Sequence, residues 1–285
     1  MTTIARQTLG FAQNRPPVVP GRDRLQQMEE TMAEYRRRRS VSQTYLLDLL
    51  TAQLADWQAQ RVADGEDDGP RDVVDLGGGT GGIATALAAL GHRVTVIDPS
   101  PDALASLQRR TADEGLSGHI QGVQGDASDL RDLVGVAGAD VMICHRVLEV
   151  LDSPDDALAA MAAVLRPGGV LSLLVSQRHS LVLTQALGGH LALARRTFAD
   201  PSRFDHDQVI DLVKASGFIV MASHGIGAIA DHVPESVIDA EPGAYAELVA
   251  LETEVSSDPA FRALAPLVHV FATTSTESLP PHLVS

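Results

Sequence analysis

The sequence predicts an α/β protein built on a doubly wound, mainly parallel sheet of seven strands. Short apolar, β-branched segments alternate with helix-length segments through roughly residues 70–176. The first of these segments runs into a cluster of glycines, and the second and third each end at an aspartate. Strands separated by helices form βαβ units, and right-handed crossovers then place helices on both faces of a parallel sheet.

The strands and helices are predicted from the period of the apolar residues and from turn residues. The predicted strands are 72–76, 93–97, 119–124, 139–144, 170–176, 218–222 and 268–273. The predicted helices are 82–90, 101–114, 154–165, 205–216 and 244–255. Between residues 177 and 204 the pattern is weak and predicts no regular element.

Composition shifts divide the chain into four parts. Residues 1–24 are rich in proline, arginine and polar residues, which predicts a poorly ordered tail. A helical pattern runs from Leu25 to Trp57 and places apolar side chains on one face, so residues 25–63 are predicted to form a helical cover packed on the domain that follows. Residues 70–276 are predicted to form the α/β domain and residues 277–285 a second tail. Within that domain, about residues 177–235 interrupt the sheet and are predicted to form a substrate lid.

The charge balance argues against a general nucleic-acid binder. The net charge is −15, from 37 acidic residues against 22 lysines and arginines, whereas binding to phosphates needs positive charge. A local basic strip remains possible, and its candidate members are Arg36 to Arg39, Arg178, Arg195, Arg196 and Arg203.

Cysteine content and hydropathy indicate which metal sites, disulfides and cellular location to expect. Cys144 is the only cysteine, so neither an intramolecular disulfide nor a cysteine-based zinc site is expected, and we predict no metal. No run of eighteen apolar residues and no apolar signal-peptide core is present in the sequence. We therefore expect no membrane association and a cytoplasmic location.

The glycine cluster after the first strand fits two motifs. Gly77, Gly79 and Gly82 fit G-x-G-x-x-G, the dinucleotide-binding pattern. Gly77, Gly79 and Gly81 fit G-x-G-x-G, the pattern of enzymes that use S-adenosylmethionine (SAM). In either case glycine permits positive φ and a close approach of the backbone to a ligand. The loop alone leaves both NAD and SAM open.

Two aspartates extend this predicted site, because ligands of doubly wound sheets bind outside the carboxyl ends of the strands. A carboxylate at Asp98 could accept both ribose hydroxyls of an adenosine and would repel the 2′-phosphate of NADP; its alternative role is to cap the next helix. A carboxylate at Asp126 occupies the place where SAM enzymes commonly bind the adenine amino group; its alternative role is to form a turn.

These features together resemble a known superfamily. With the turn Arg166-Pro167-Gly168-Gly169, they are similar to class I SAM-dependent methyltransferases over roughly residues 70–176. The run His145-x-Val147-Leu148-Glu149 and a C-terminal part that begins at Gly225-Ile226 resemble bacterial tRNA methyltransferases that esterify 5-carboxymethoxyuridine at the wobble position. This likeness covers roughly residues 40–275. The chain departs from it at Gly227, where that family has an arginine.

The resemblance implies a Rossmann-like methyltransferase fold, SAM as the cofactor and a set of cofactor contacts. It transfers His145 and an N-terminal arginine, assigned to Arg38, as contacts of SAM. The predicted cofactor-binding residues are Asp75, Gly77, Gly78, Gly79, Gly81, Asp98, Pro99, Asp126, Ala127, His145 and Arg38.

No catalytic residue is predicted. Methyl transfer from a sulfonium is an in-line displacement that depends mainly on positioning, and a carboxylate acceptor needs no general base. The acceptor is left open between a tRNA wobble uridine and a small molecule methylated on oxygen or nitrogen. Less favoured alternatives are an NAD-dependent oxidoreductase and a SAM-binding protein without turnover.

Overall fold

A computed structural model describes residues 40–275. Arg38, the two predicted tails and the first part of the predicted helical cover lie outside the described residues. Within residues 40–275, no helix combines the length and the apolar character that a membrane crossing requires.

A seven-stranded sheet forms the centre of the fold, with the strand order β3-β2-β1-β4-β5-β7-β6. Its strands are β1 (Asp72–Leu76), β2 (Arg93–Asp98), β3 (Ile120–Gln124), β4 (Ala139–His145), β5 (Leu165–Ser176), β6 (Ile219–Ile226) and β7 (Leu267–Thr273). The pairs among β1 to β5 are parallel, whereas β7 runs antiparallel to both β5 and β6. The predicted mainly parallel, seven-stranded sheet is confirmed.

Helices cover both faces of this sheet. They are α1 (Val41–Ala63), α2 (Ala84–Ala89), α3 (Pro101–Asp113), α4 (Leu130–Val134), α5 (Pro154–Val164), α6 (Arg178–Leu187), α7 (Leu191–Ala199), α8 (His206–Ala215), α9 (Glu235–Ala240), α10 (Ala244–Val255) and α11 (Pro259–Leu264). Successive strand residues point to opposite faces, so Val73 packs with Leu87 of α2 while Val74 belongs to the cluster that includes Leu158 of α5. The central strands are thus buried on both sides.

Helix α1 lies across one face of the sheet. Its start is fixed by a capping box in which Ser40 and Gln43 each bond the other's backbone. Leu50 and Leu54 are buried with β1 and β2, and the indole of Trp57 donates to the carbonyl of Gly168 at 3.0 Å. The apolar face noted in the sequence therefore packs on the sheet.

The segment after β5 differs from the prediction. Residues 178–199, for which no element was predicted, form the helical pair α6 and α7. Leu187, Leu191 and Phe198 of this pair are exposed, so its apolar residues do not trace the single buried face by which a helix is recognised in sequence. In addition, α8 and β6 fall inside the predicted lid but belong to the sheet and its covering layer. Helix α8 and strand β6 therefore cannot belong to a lid. The lid stays a prediction for the remaining parts of residues 177–235.

Candidate functional site

The candidate site lies where the strand order reverses, between β1 and β4. These strands run parallel, and Leu76 pairs with Cys144 at their carboxyl ends. A Cβ placed on Gly77 would lie 2.3 Å from Cγ2 of Val147. The glycine loop after β1 and the segment after β4 are therefore in direct contact, in the place where doubly wound sheets bind ligands.

The backbone of the loop distinguishes the two glycine motifs. Gly77, Gly79 and Gly81 have φ of +69°, +55° and +79°, a region that side-chain-bearing residues rarely adopt. A Cβ on Gly81 would also lie 2.2 Å from Cδ1 of Leu107, and one on Gly78 would lie 2.4 Å from Oδ2 of Asp75. Gly82 lies outside that φ region, and a Cβ on it would meet nothing within 4 Å. The structure requires the glycines of G-x-G-x-G.

Asp98 ties the loop to the end of β2. Asp98 is 8% exposed, and its carboxylate accepts hydrogen bonds from the backbone N–H groups of Gly79 and Ser100, each at 2.9 Å. The cap of α3 is the hydroxyl of Ser100, which accepts from Ala103. The alternative role of Asp98 as the cap of that helix is therefore wrong.

Asp126 lies at the same edge of the sheet, where the N–H of Gly125 donates to the Asp98 carbonyl at 3.3 Å. It is exposed, and its Oδ1 accepts from the Ser128 backbone N–H at 2.8 Å and from the Ser128 hydroxyl at 2.6 Å. These bonds lower the pKa of Asp126 and cap the 3-10 turn that begins at Ala127. Asp126 thus forms the turn that the alternative interpretation predicts, and it does so beside the end of β2.

Asp75 is buried directly beneath the loop, 4% exposed near the end of β1. Burial, followed by repulsion from the carboxylate of Asp98, raises the pKa of Asp75 to about 7. Two acidic groups thus share a poorly solvated place at the end of β1 and β2. A cationic ligand placed there would favour their ionised forms.

His145 is half-buried and begins a polar chain that crosses three strands, whose other members, Ser172 and His269, are fully buried. Its Nε2 lies 2.8 Å from the hydroxyl oxygen of Ser172 on β5, which lies 2.8 Å from Nε2 of His269 on β7. The Nδ1 atoms of both histidines are buried and have no hydrogen-bond partner within residues 40–275. Burial lowers the pKa of His145 to about 3, so the imidazole is neutral and a weak base at physiological pH.

Neither Ser172 nor His269 was predicted to belong to the site. The only signal for His269 in the sequence is that it lies in the C-terminal part, beginning at Gly225-Ile226, that resembles the tRNA methyltransferases. The residues that make these contacts lie on three strands, and Ser172 and His269 are 97 residues apart along the chain. Contacts over such a distance leave no local pattern in the sequence.

A cavity of about 1200 Å³ opens at this edge of the sheet. Its lining includes residues at the start of α1, the loop residue Thr80, His145 with Arg146, and residues of α3 such as Arg109. The lining includes neither Asp98 nor Asp126, which lie at the neighbouring strand ends. Within residues 40–275, no group of three or more acidic, histidine or cysteine side chains could hold a metal ion.

Comparisons with known proteins agree with this geometry. Residues 74–173 match a family model described as a methyltransferase domain. The chain is 27% identical over 208 residues to the tRNA 5-carboxymethoxyuridine methyltransferase of Escherichia coli (strain K12), which covers 70% of this chain and 78% of that protein. It is 32% identical over 97 residues to a ubiquinone biosynthesis O-methyltransferase of Burkholderia orbicola (strain MC0-3), which covers 34% of this chain and 40% of that protein.

Solved structures share the fold at low sequence identity. Phosphoethanolamine N-methyltransferase 2 of Haemonchus contortus, in complex with SAM, aligns with a TM-score of 0.53 at 16% identity, over 78% of this chain and 53% of that one. The [4+2]-cyclase SpnF aligns with a TM-score of 0.51 at 18% identity, over 79% of this chain and 81% of that one. The second is named for a different reaction, so the fold alone does not fix the chemistry. The family match, the relatives and the G-x-G-x-G backbone nevertheless agree on SAM rather than NAD as the cofactor: the chain carries a methyltransferase domain on a Rossmann-like fold and is a SAM-dependent methyltransferase.

Proposed function

We propose that this methyltransferase transfers the methyl group of SAM to a carboxylate, and that the acceptor is the carboxymethoxy group of a wobble uridine in tRNA. The observation that carries the proposal is the 208-residue similarity to the tRNA 5-carboxymethoxyuridine methyltransferase, which spans 70% of the chain. A cytoplasmic location, where tRNA is found, is part of the proposal.

We assign the cofactor to the edge formed by the ends of β1, β2, β3 and β4. The carboxylate of Asp98 uses two of its roughly four lone-pair positions for backbone N–H groups, which leaves capacity for the ribose hydroxyls. The ionised form of Asp75 would stabilise the positive charge of SAM. The residues proposed to hold SAM are Asp75, Gly77, Gly78, Gly79, Gly81, Asp98, Pro99, Asp126, Ala127, His145 and, outside the described residues, Arg38.

The chemistry of the site suits an acceptor that is already nucleophilic. A carboxylate oxygen attacks the methyl carbon, the C–S bond breaks with its electron pair going to sulfur, and the products are a methyl ester and S-adenosylhomocysteine. The enzyme contributes alignment and exclusion of water. A hydroxyl acceptor would need a base, and the lowered pKa of His145 makes this histidine a poor one.

Binding of tRNA would need positive charge near the cavity. Of the arginines proposed for a basic strip, Arg178 pairs with Asp205 and Arg203 pairs with Asp200. Arg195 and Arg196 on α7 are exposed. We therefore propose that α7, within the lid region, supplies phosphate contacts through these two side chains.

A second candidate is methylation of a small molecule on oxygen or nitrogen. The higher identity to the ubiquinone biosynthesis O-methyltransferase, confined to 97 residues, favours it, as does the net charge of −15. The two candidates differ in the acceptor and share the cofactor site.

Mass spectrometry of nucleosides tests the proposal. The full-length protein is incubated with SAM and with tRNA that carries 5-carboxymethoxyuridine, and the digested tRNA is searched for the methyl ester of that nucleoside. We expect the ester with the wild-type protein and its loss in Gly79→Val, because valine would be strained at φ +55°. If SAM is bound and no nucleoside gains a methyl group, the tRNA proposal fails and the small-molecule candidate replaces it.

A further inference from the structure

Arg146, the residue directly after β4, has an unusual backbone conformation. Its φ is +59°, and Ala137 is the only other non-glycine residue of the described chain with a positive φ. This conformation costs a residue with a side chain on the order of 1–2 kcal/mol relative to the right-handed region. The backbone N–H of Arg146 donates to the carbonyl of Leu174 at 2.7 Å, which holds the conformation in place.

Arg146 is also held beside the loop assigned to the methyl donor. It lies between His145, whose imidazole bonds Ser172, and Val147, whose side chain occupies the space next to Gly77. Both His145 and Arg146 line the 1200 Å³ cavity. An acceptor in the part of this cavity that His145 and Arg146 line would therefore lie near the Arg146 side chain.

The guanidinium of Arg146 has no partner within residues 40–275. Seven other arginines of that span make ion pairs with acidic side chains: Arg61, Arg71, Arg93, Arg110, Arg166, Arg178 and Arg203. The acid closest to Arg146 in sequence on its C-terminal side, Glu149, accepts instead from the backbone and the hydroxyl of Ser176. Arg146 is exposed and lines the cavity. Solvation alone gives a surface arginine no reason to adopt a strained backbone, and such strain is concentrated at functional sites.

We infer that Arg146 is a specificity-determining residue that binds the carboxylate of the methyl acceptor. This inference rests on the proposed function and names the group that selects the anion. The guanidinium would hold one carboxylate oxygen while the other attacks the methyl carbon of SAM. Esterification removes the negative charge, so the product loses its attraction to Arg146 and leaves.

Binding of a matched pair of nucleosides tests this inference. Titration calorimetry on the full chain, in the presence of S-adenosylhomocysteine, compares 5-carboxymethoxyuridine with its neutral carboxamide. We expect the wild-type protein to bind the acid about tenfold or more tightly than the amide, the scale of hydrogen bonds between charged groups. Arg146→Gln should remove this preference, Arg146→Lys should keep part of it, and all three proteins should bind SAM alike.

A charge-matched control excludes a general effect of net charge. Lys214→Gln removes one positive charge at the end of α8, an exposed position that precedes the amino end of β6. It should keep the preference for the acid. Equal binding of the two nucleosides by the wild-type protein, no binding of the acid, or an undiminished preference in Arg146→Gln would overturn the inference.

The inference and the proposed function fail in different ways. Ester formation on tRNA by Arg146→Gln at the wild-type KM would overturn the role of Arg146 and leave the proposed function standing. An Arg146-dependent preference for the acid without any methyl transfer to tRNA would overturn the tRNA acceptor and leave the role of Arg146 standing.

Discussion

The backbone N–H of Gly79 donates a 2.9 Å hydrogen bond to the buried carboxylate of Asp98. This bond joins the loop after β1 to the end of β2, so the loop is ordered by the same side chain that we assign to the ribose. The cofactor would bind to an edge that is already ordered, so the free-energy cost of ordering the loop on binding would be small.

Asp98→Ala is expected to weaken SAM binding by about 1.5–3 kcal/mol, because a charged hydrogen-bond acceptor for both the ribose and Gly79 is lost. Asp98→Asn should lose less affinity for SAM, since the amide oxygen of asparagine can still accept a hydrogen bond from the Gly79 N–H. Asp102→Ala removes an exposed carboxylate near the start of α3 and serves as the control. Calorimetry that finds equal SAM affinity in Asp98→Ala and the control would refute the assignment.

The affinity for SAM should depend on pH through Asp75. The pKa of Asp75 is raised to about 7 in the unliganded protein, and positively charged SAM favours the ionised carboxylate. Binding should therefore release a proton below pH 7, and affinity should fall as pH falls below 7, by at most about tenfold per unit. Asp75→Asn should bind SAM more weakly and show a flatter profile between pH 6 and 8. A pH-independent affinity of the wild-type protein would contradict this role.

Ser172→Ala should destabilise the protein by about 2 kcal/mol. The hydroxyl bridges Nε2 of His145 and Nε2 of His269, and its loss leaves two buried polar atoms without a partner. Ser117→Ala, at an exposed loop position, should be close to neutral. Unfolding in urea measures the difference, and an equal effect of the two substitutions would show that the bridge contributes nothing to stability.

Arg146→Gly should be more stable than Arg146→Gln, by up to about 1 kcal/mol. Glycine adopts φ near +59° without steric cost, although it loses more conformational freedom on folding. Both variants should nevertheless lose the preference for an acidic acceptor. A lower melting temperature for the glycine variant than for the glutamine variant would show that the backbone at this position is not strained.

The strands of this protein could be predicted from sequence because their signals are local. β1 and α10 have the predicted bounds, and most other predicted elements differ by one or two residues at an end, whereas the short helices α4, α9 and α11 were not predicted. Helix α5 ends at Val164 and β5 begins at Leu165, earlier than predicted, because Arg166 precedes a proline and is pushed into extended backbone.

The details of the site could not be predicted in the same way. The motif placed Asp98 and Asp126 at neighbouring strand ends, but the partners of their carboxylates depend on the folded loops. The raised pKa of Asp75 and the chain from His145 to His269 arise from burial and from contacts between distant strands. Helices α6 and α7 were missed because their exposed apolar residues do not follow one buried face.

Alkali lability of the transferred methyl group tests the central claim most directly. The protein is supplied with SAM labelled in its methyl group and with tRNA that carries 5-carboxymethoxyuridine, and the labelled tRNA is then treated with mild alkali. A methyl ester releases its label as methanol under these conditions, whereas methyl groups on ether oxygen or on nitrogen remain bound. The account predicts label in the tRNA that mild alkali releases; label that resists alkali, or no label in tRNA while SAM is bound, would contradict it.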